Sequence, residues 1–219
     1  MRISVAEYMT GAWPAAAALV RDVYAEQYGA DVSPSPDAFI VARPDADDPG
    51  GDGPDTVLAC AGLTFGGDRP LFSEAYLDRG IEEEIGRRLG ADADRRGVVE
   101  VGGLATRRPL IGREVVRATP IIAWCLGMQY ILCTATRPLI RSLDRLGIGF
   151  VPFAVADPAR LGGPEVRERW GTYYDREPQV GVIPLNALHR LFADTTGRYL
   201  FSDMQVSLIE RRVAGHANP

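Results

Sequence analysis

Residues 98–153 constrain the fold of this chain more than any other stretch, because strand and helix signals alternate there without a break. Val98-Val99-Glu100-Val101 opens a strand over 98–104, a helix follows at 113–126, and a second strand at 130–135. A helix over 138–146, closed by Gly147, leads to a third strand at 149–155. A helix between two strands implies a right-handed crossover joining parallel neighbours. Pro120 is expected to kink the first helix or to move its true start.

The same stretch holds the residues that carry chemistry. Glu100 is a carboxylate inside an apolar strand, a costly placement unless it is paired or reached by water. An arginine partner would make it structural, whereas a cleft would raise its pKa and suit it to accept a proton. The strand empties into Gly102-Gly103, and Arg107, Arg108 and Arg113 crowd the start of the next helix. Arginine forks and helix N-terminal amides both bind phosphate oxygens, and Gly112 would let a backbone approach closely. The competing reading is a solvated turn, since one glycine is a thin phosphate signature and Pro109 removes a donor.

Thr134, Thr136 and Arg137 fall at the C-terminal end of the second strand, the end where ligands collect in open α/β sheets. A plain strand-end role competes. Trp170, Tyr173 and Tyr174 follow a polar stretch and read as a core lid, or as a pocket wall with a phenol as proton donor.

Upstream, residues 2–7 read as a strand, and Pro14 opens a helix that runs to Tyr28 and ends at Gly29. Strands at 37–43 and 56–65 flank an Asp-, Gly- and Pro-rich loop over 44–55, expected to be mobile. Residues 73–77 and 81–89 read as helical, with Glu82, Glu83 and Glu84 early and Arg87 and Arg88 late. That order complements the helix dipole and favours a solvated first turn over a metal site. Past Ala156 the pattern is irregular: a short strand at 180–183, a helix at 185–192, and 202–212 as either helix or strand. The organisation expected is one α/β domain over 1–193 with an extension over 194–219.

Composition narrows the function. The net charge of −5 argues against nucleic-acid binding. All 24 basic residues are arginine, so lysine Schiff-base chemistry is excluded. Cys60, Cys125 and Cys133 lie in apolar stretches with no metal-ligand spacing, and read as reduced core residues of a cytoplasmic protein. Cys133 as a nucleophile lacks a histidine nearby in sequence. With only two histidines, no metal site is expected. Residues 1–21 lack the layout of a signal peptide, and no apolar stretch is long enough to span a bilayer. GxSxG, HExxH and Walker patterns are all absent, so direct transfer between bound substrates is the expected mode of any catalysis.

Several runs then stand in a telling order. Leu71-Phe72-Ser73-Glu74-Ala75-Tyr76-Leu77-Asp78 precedes Ile81-Glu82 and Val99-Glu100-Val101-Gly102-Gly103-Leu104-Ala105. Thr134-Ala135-Thr136, Ala156-Asp157-Pro158-Ala159-Arg160-Leu161-Gly162 and Trp170-Gly171-Thr172-Tyr173-Tyr174-Asp175 follow. Across roughly 15–185 the chain resembles the bacterial thermostable hemolysin family, which is similar in fold pattern to GNAT N-acyltransferases and acyl-homoserine-lactone synthases.

The resemblance implies a mixed central sheet flanked by helices, with central strands that splay to admit a pantetheine thioester. It implies an acyltransferase moving an acyl group to an amine or related small-molecule nucleophile by direct attack, with no tightly bound cofactor. Glu100 would be the base, directly or through a water, and Tyr173 or Tyr174 the proton donor. Backbone at Gly103, Leu104 and Ala105 would hold the pantetheine arm and oxyanion, and Arg107, Arg108, Gly112 and Arg113 the phosphate. Thr134, Thr136, Arg137 and Trp170 would meet substrate. Because GNAT enzymes that use coenzyme A usually carry a glycine-richer turn, the arginines favour an acyl carrier protein as donor over acyl-CoA. A homodimer is left open. A non-catalytic carrier-binding subunit and a lytic protein, as the family name suggests, are the alternatives.

Overall fold

A computed structural model describes residues 1–45 and 56–202. The strands are β1 (Arg2–Glu7), β2 (Ala38–Arg43), β3 (Ala59–Phe65), β4 (Val98–Thr106), β5 (Tyr130–Ala135), β6 (Val151–Val155) and β7 (Gln179–Pro184). They form one sheet in the order β1-β2-β3-β4-β5-β7-β6. Every pairing is antiparallel except β4 with β5. The helices are α1 (Trp13–Tyr28), α2 (Ile81–Leu89), α3 (Pro109–Cys125), α4 (Arg137–Arg145), α5 (Pro164–Arg169) and α6 (His189–Thr195).

The parallel pair read from the sequence is present at the centre, joined through α3. The third strand of that run is not beside the second: β7 inserts between β5 and β6. Nothing within 98–153 signals this, because the inserted strand, Gln179–Pro184, lies outside that stretch. The loop expected over 44–55 and the element expected over 202–212 lie almost wholly outside the described residues.

Strand side chains alternate between faces, and the two faces take different covers. Phe39, Val41, Cys60 and Ala105 pack with Leu19, Val20 and Val23 of α1. Ile40, Ala61, Val99, Ile131 and Ile183 pack under Val115, Ile121 and Leu143 from α3 and α4. A third cluster sets Val98, Tyr130, Leu132 and Val182 against Tyr76, Ile81 and Ile85. Glu100 shares the strand face of Val98, so its side chain is directed into the region of that third cluster.

Helix α3 begins at Pro109, four residues before the start expected from sequence. Proline is favoured in the first turn because its missing N–H is one the helix leaves unpaired in any case. The helix also runs through Pro120, where no amide is available for the carbonyl of Val116. Its last turn faces outward: Trp124 is 54% exposed and Cys125 is exposed, not core. The unbroken apolar run Ile121-Ile122-Ala123-Trp124-Cys125-Leu126 hides the helical phase.

Glu114 of α3 anchors the far end of the described chain. It accepts from Arg198 Nη2 at 2.5 Å, Tyr199 Oη at 2.9 Å and Arg117 Nη1 at 2.5 Å. Burial works to raise its pKa, but these partners outweigh it and hold the carboxyl down to about 2. A depressed folded pKa contributes stability that is present above the usual 4.5 and lost as pH falls towards 2. Protection factors of the amides at residues 196–200, taken relative to intrinsic exchange, are therefore expected to fall across that acid window. Glu114→Gln is expected to remove that pH dependence of protection.

Candidate functional site

The site begins where β4 and β5 part. Their pairing covers Val98 with Tyr130, Val99 with Ile131 and Glu100 with Leu132, and ends there. On its other side β4 carries a bulge: Cys60 pairs with Ala105 and Gly62 with Gly102, so Gly103 and Leu104 together face Ala61. Gly103 supplies the left-handed φ of +56° that this bulge adopts. The bulged strand bends, and β4 beyond Glu100 is left without a strand partner on the β5 side.

A cleft of about 240 Å³ fills the gap. Val101, Gly102, Gly103, Leu104 and Thr106 of β4 form one wall, and Ile131, Cys133 and Thr134 of β5 the other. Val23, Tyr24, Gln27 and Tyr28 of α1 and Tyr173 close one face of the sheet. Val116, Thr119, Pro120, Leu139 and Leu143 close the opposite face. No charged side chain lines the cleft among the described residues. Its walls therefore offer no counter-charge, and an unpaired charge buried there would carry a large desolvation cost.

Glu100 has no arginine partner among the described residues, contrary to the structural reading. At 7% exposure it accepts from Phe72 N at 2.7 Å, Ser73 N at 2.8 Å and Ser73 Oγ at 2.6 Å. Those donors sit on a 3₁₀ turn, Phe72–Tyr76, laid against the strand face of Glu100. Burial raises the carboxyl above its usual pKa, and the three donors pull the other way without cancelling it. Glu100 is not itself among the lining residues. Its link to the cleft is Ser73 Oγ, which lies 2.8 Å from Thr134 Oγ1.

The turn that carries Ser73 is pinned from two sides. Glu74 accepts from the amides of Leu71 and Ile81 and from Arg95 Nη1 at 2.6 Å. Arg160 donates to the carbonyls of Ala75 and Leu77 and pairs with Asp78 at 2.8 Å. The two sequence runs that hold Ser73 and Arg160 are thus in direct contact.

Tyr173 is buried and donates to the carbonyl of Thr134 at 3.2 Å. Burial pushes its phenol well above the usual tyrosine range, so it is a neutral donor. Tyr174 is elsewhere: its hydroxyl is 2.6 Å from that of Tyr76, and it is not among the lining residues. Trp170 backs the wall, with ring centroids 5.2 Å from Tyr173 and 5.7 Å from Phe72. Thr136 lines the cleft, whereas Arg137 pairs with Glu177 at 2.5 Å on the surface. Cys133 lines the cleft as a neutral thiol, pushed up to about 12 chiefly by burial.

The arginine turn divides. Arg107 pairs with Glu26 at 3.0 Å and Asp22 at 3.3 Å, tying the turn to α1. Arg113 is exposed and makes no ion pair among the described residues. Arg108 is the N-cap residue of α3. A Cβ on Gly112 would come within 2.4 Å of Thr106 Cγ2, so its immediate service is to seat α3 against the end of β4. Among the described residues no group of His, Cys, Asp and Glu is arranged to hold a metal ion.

Sequence reasoning assigned no role to Ser73, Tyr28 or Gln27, and gave Tyr24 only a place in the helical pattern. Tyr24 and Tyr28 are four apart on α1 and so share a face, a signal that was available. Ser73 had none: its role depends on the turn crossing two strands.

A mixed sheet whose parallel central pair parts around a cleft defines the GNAT-like class of fold. The AHL synthase LasI shares it, at 14% identity and a TM-score of 0.56 over 88% of this chain and 94% of that one. FeeM, an N-acyl amino acid synthase from uncultured soil microbes, is similar at 13% identity and a TM-score of 0.55, covering 87% and 99%. TofI in an apo form follows at 17% identity and 0.53, covering 87% and 96%. No curated protein matches the chain significantly. Residues 7–189 match the thermostable hemolysin family, and the chain belongs to it.

Proposed function

We propose that this protein is an acyltransferase that moves an acyl group from a pantetheine thioester to an uncharged amine. The observation that carries the reading is the parting of β4 and β5 into an uncharged cleft whose wall residue Thr134 is linked through Ser73 to the buried carboxylate of Glu100. The pantetheine arm adds to the unpartnered side of β4, where strand backbone is free to take amide hydrogen bonds. The acyl chain lies against Val116, Leu139, Leu143 and Ile183. LasI is named as an AHL synthase and FeeM as an N-acyl amino acid synthase, which supports the same class of chemistry here.

In the reaction the amine nitrogen attacks the thioester carbon, the C–N bond forms and the C–S bond breaks. Glu100 takes the proton that the nitrogen loses, and amides near Gly103, Leu104 and Ala105 stabilise the oxyanion. The neutral phenol of Tyr173 gives a proton to the thiolate and regains it from solvent. Tyr174 holds Tyr76 and so shapes the wall.

The donor is a carrier protein in this account. Leu110 is 79% exposed beside Arg113, an apolar and cationic surface suited to an acidic carrier helix. Arg113→Glu is expected to raise KM for carrier-borne thioester several-fold, to leave kcat unchanged and to weaken the salt dependence of kcat/KM. Equal effects on acyl-carrier and acyl-pantetheine donors would remove the carrier from the account. Thiol release from panels of acyl-carrier and acyl-CoA donors tests the function itself. Release that requires an amine supports it. Leakage of liposomes without any acyl donor would instead favour a lytic protein, and tight carrier binding without thiol release a non-catalytic subunit. No helix among the described residues is long and apolar enough to cross a membrane.

A further inference from the structure

Glu100 is separated from the cleft by a second hydroxyl as well as the first, and the directions of those hydrogen bonds are fixed. An ionised carboxylate only accepts, so the contact of 2.6 Å from Ser73 Oγ to Glu100 Oε1 uses the single hydroxyl proton of Ser73. Ser73 Oγ must then accept at its 2.8 Å contact with Thr134, and Thr134 Oγ1 is the donor. With its proton directed at Ser73, Thr134 has only lone pairs left to offer the cleft that it lines. Ser73 is 1% exposed and is held in place by its own amide on Glu100 Oε1 at 2.8 Å. Nothing in this arrangement can reorient while Glu100 is charged.

We propose that Thr134 and Ser73 are a hydroxyl relay through which Glu100 acts as base on the acceptor amine. The inference rests on the acyl-transfer reading and names how its base reaches the substrate. As the C–N bond forms, the nitrogen gives a proton to Thr134 Oγ1, Thr134 passes its own to Ser73 Oγ, and Ser73 passes its own to Glu100 Oε1. One proton leaves the amine and one arrives on the carboxylate, and each hydroxyl keeps one. Glu100 then returns its proton to solvent in the reset. Thr134 touches the amine and is catalytic; Ser73 acts through it and is a positioning residue. The arrangement also selects the acceptor: the lone pairs of Thr134 receive an N–H donor, and the uncharged walls offer no anion to an ammonium ion.

The ionisable groups around the relay are Glu74 and Tyr76 on the 3₁₀ turn and Cys133 on β5. Tyr76 and Cys133 are both pushed up, chiefly by burial, and remain neutral near pH 7. Burial works to raise Glu74, but its hydrogen bonds from Arg95, Leu71 and Ile81 outweigh it and hold it below the usual carboxylate range. Tyr173 is pushed up by burial, so the acid limb of the rate reports Glu100.

The test compares kcat, KM and pH profile for the wild-type chain, Ser73→Ala, Thr134→Val and Thr134→Ser, with thermal unfolding as a control on folding. Thr134→Val keeps the shape of the side chain, and Thr134→Ser keeps the hydroxyl. The relay predicts a fall in kcat of about 10²-fold for Ser73→Ala at unchanged KM and for Thr134→Val with a raised KM for the amine, the double variant having a kcat no lower than either. It further predicts rescue by Thr134→Ser and loss of the acid limb in Thr134→Val. An active wild type whose Thr134→Val variant keeps both its kcat and its acid limb would overturn the relay alone. A wild type that releases no thiol from any donor with any amine would overturn the acyl-transfer reading and the relay with it.

Discussion

Replacing Glu100 by glutamine is expected to slow acyl transfer by about 10²–10⁴-fold, the usual contribution of a positioned general base. The loss should fall on kcat, because the side chain is buried behind Ser73 and does not line the cleft. The same change has a structural cost. Phe72 N and Ser73 N donate to different carboxylate oxygens, so a glutamine can satisfy one and sets its own NH₂ against the other. A buried donor left unpaired in this way costs about 1–3 kcal/mol, which denaturant unfolding will register.

Acidity separates the catalytic role from the structural one. Burial raises the folded pKa of Glu100, so kcat should fall as pH drops through a value above the usual 4.5. Stability runs the other way. A carboxyl whose folded pKa is raised contributes stability that is fully present below 4.5 and is lost as pH rises through the folded value. Rate and stability therefore move in opposite directions across one window in the wild type, and Glu100→Gln is expected to flatten both. A wild-type rate in that variant would remove Glu100 from the mechanism.

Gly171→Ala is expected to be the most damaging small substitution in the aromatic wall. Gly171 has φ of +50°, and an added Cβ would lie 2.0 Å from the carbonyl oxygen of Tyr28. That carbonyl, at the end of α1, accepts from Thr172 N at 2.8 Å, and Asp31 N donates to the carbonyl of Arg169 at 2.7 Å. The loop that carries Trp170 and Tyr173 is thus docked on α1 through backbone groups with no slack. Left-handed strain of about 1–3 kcal/mol and overpacking of about 1–3 kcal/mol together predict a loss of about 2–6 kcal/mol in unfolding free energy. Where the variant still folds, Tyr173 is pulled from the cleft and the rate falls with it. A shift in unfolding free energy below about 0.5 kcal/mol, the range of a plain surface change, would show that the loop is not so docked.

Much of the frame was readable from residues alone. Continuous apolar strands at 98–101 and 130–135 separated by a helix dictate a parallel pair, and the glycines at 102–103 mark where that pair opens. Local capping signals located α1 and α2 to within a residue or two: Pro14 and Gly29 for the first, the Glu82–Arg88 charge order for the second. What stayed hidden is long-range. The place of β7 depends on antiparallel pairing with two strands at once, and no local pattern encodes it. The partner of Glu100 came from a turn twenty-seven residues away, where a serine in a helical-looking run gives no sign that it will cross the strand ends. Arg107 illustrates the converse, since its sequence neighbours suggested phosphate and its spatial neighbours, Asp22 and Glu26, are carboxylates on α1.

The central claim is transfer of an acyl group from thioester to amine, and the most direct measurement is mass. Acyl carrier proteins bearing isotopically labelled acyl chains would be weighed intact before and after incubation with the protein and a library of uncharged amines. The carrier is expected to lose the mass of its acyl group, the label to reappear as a new amide, and Glu100→Gln to leave the carrier acylated. Carriers and acyl-CoA that keep their acyl groups with every amine, beside a folded wild-type protein, would contradict it.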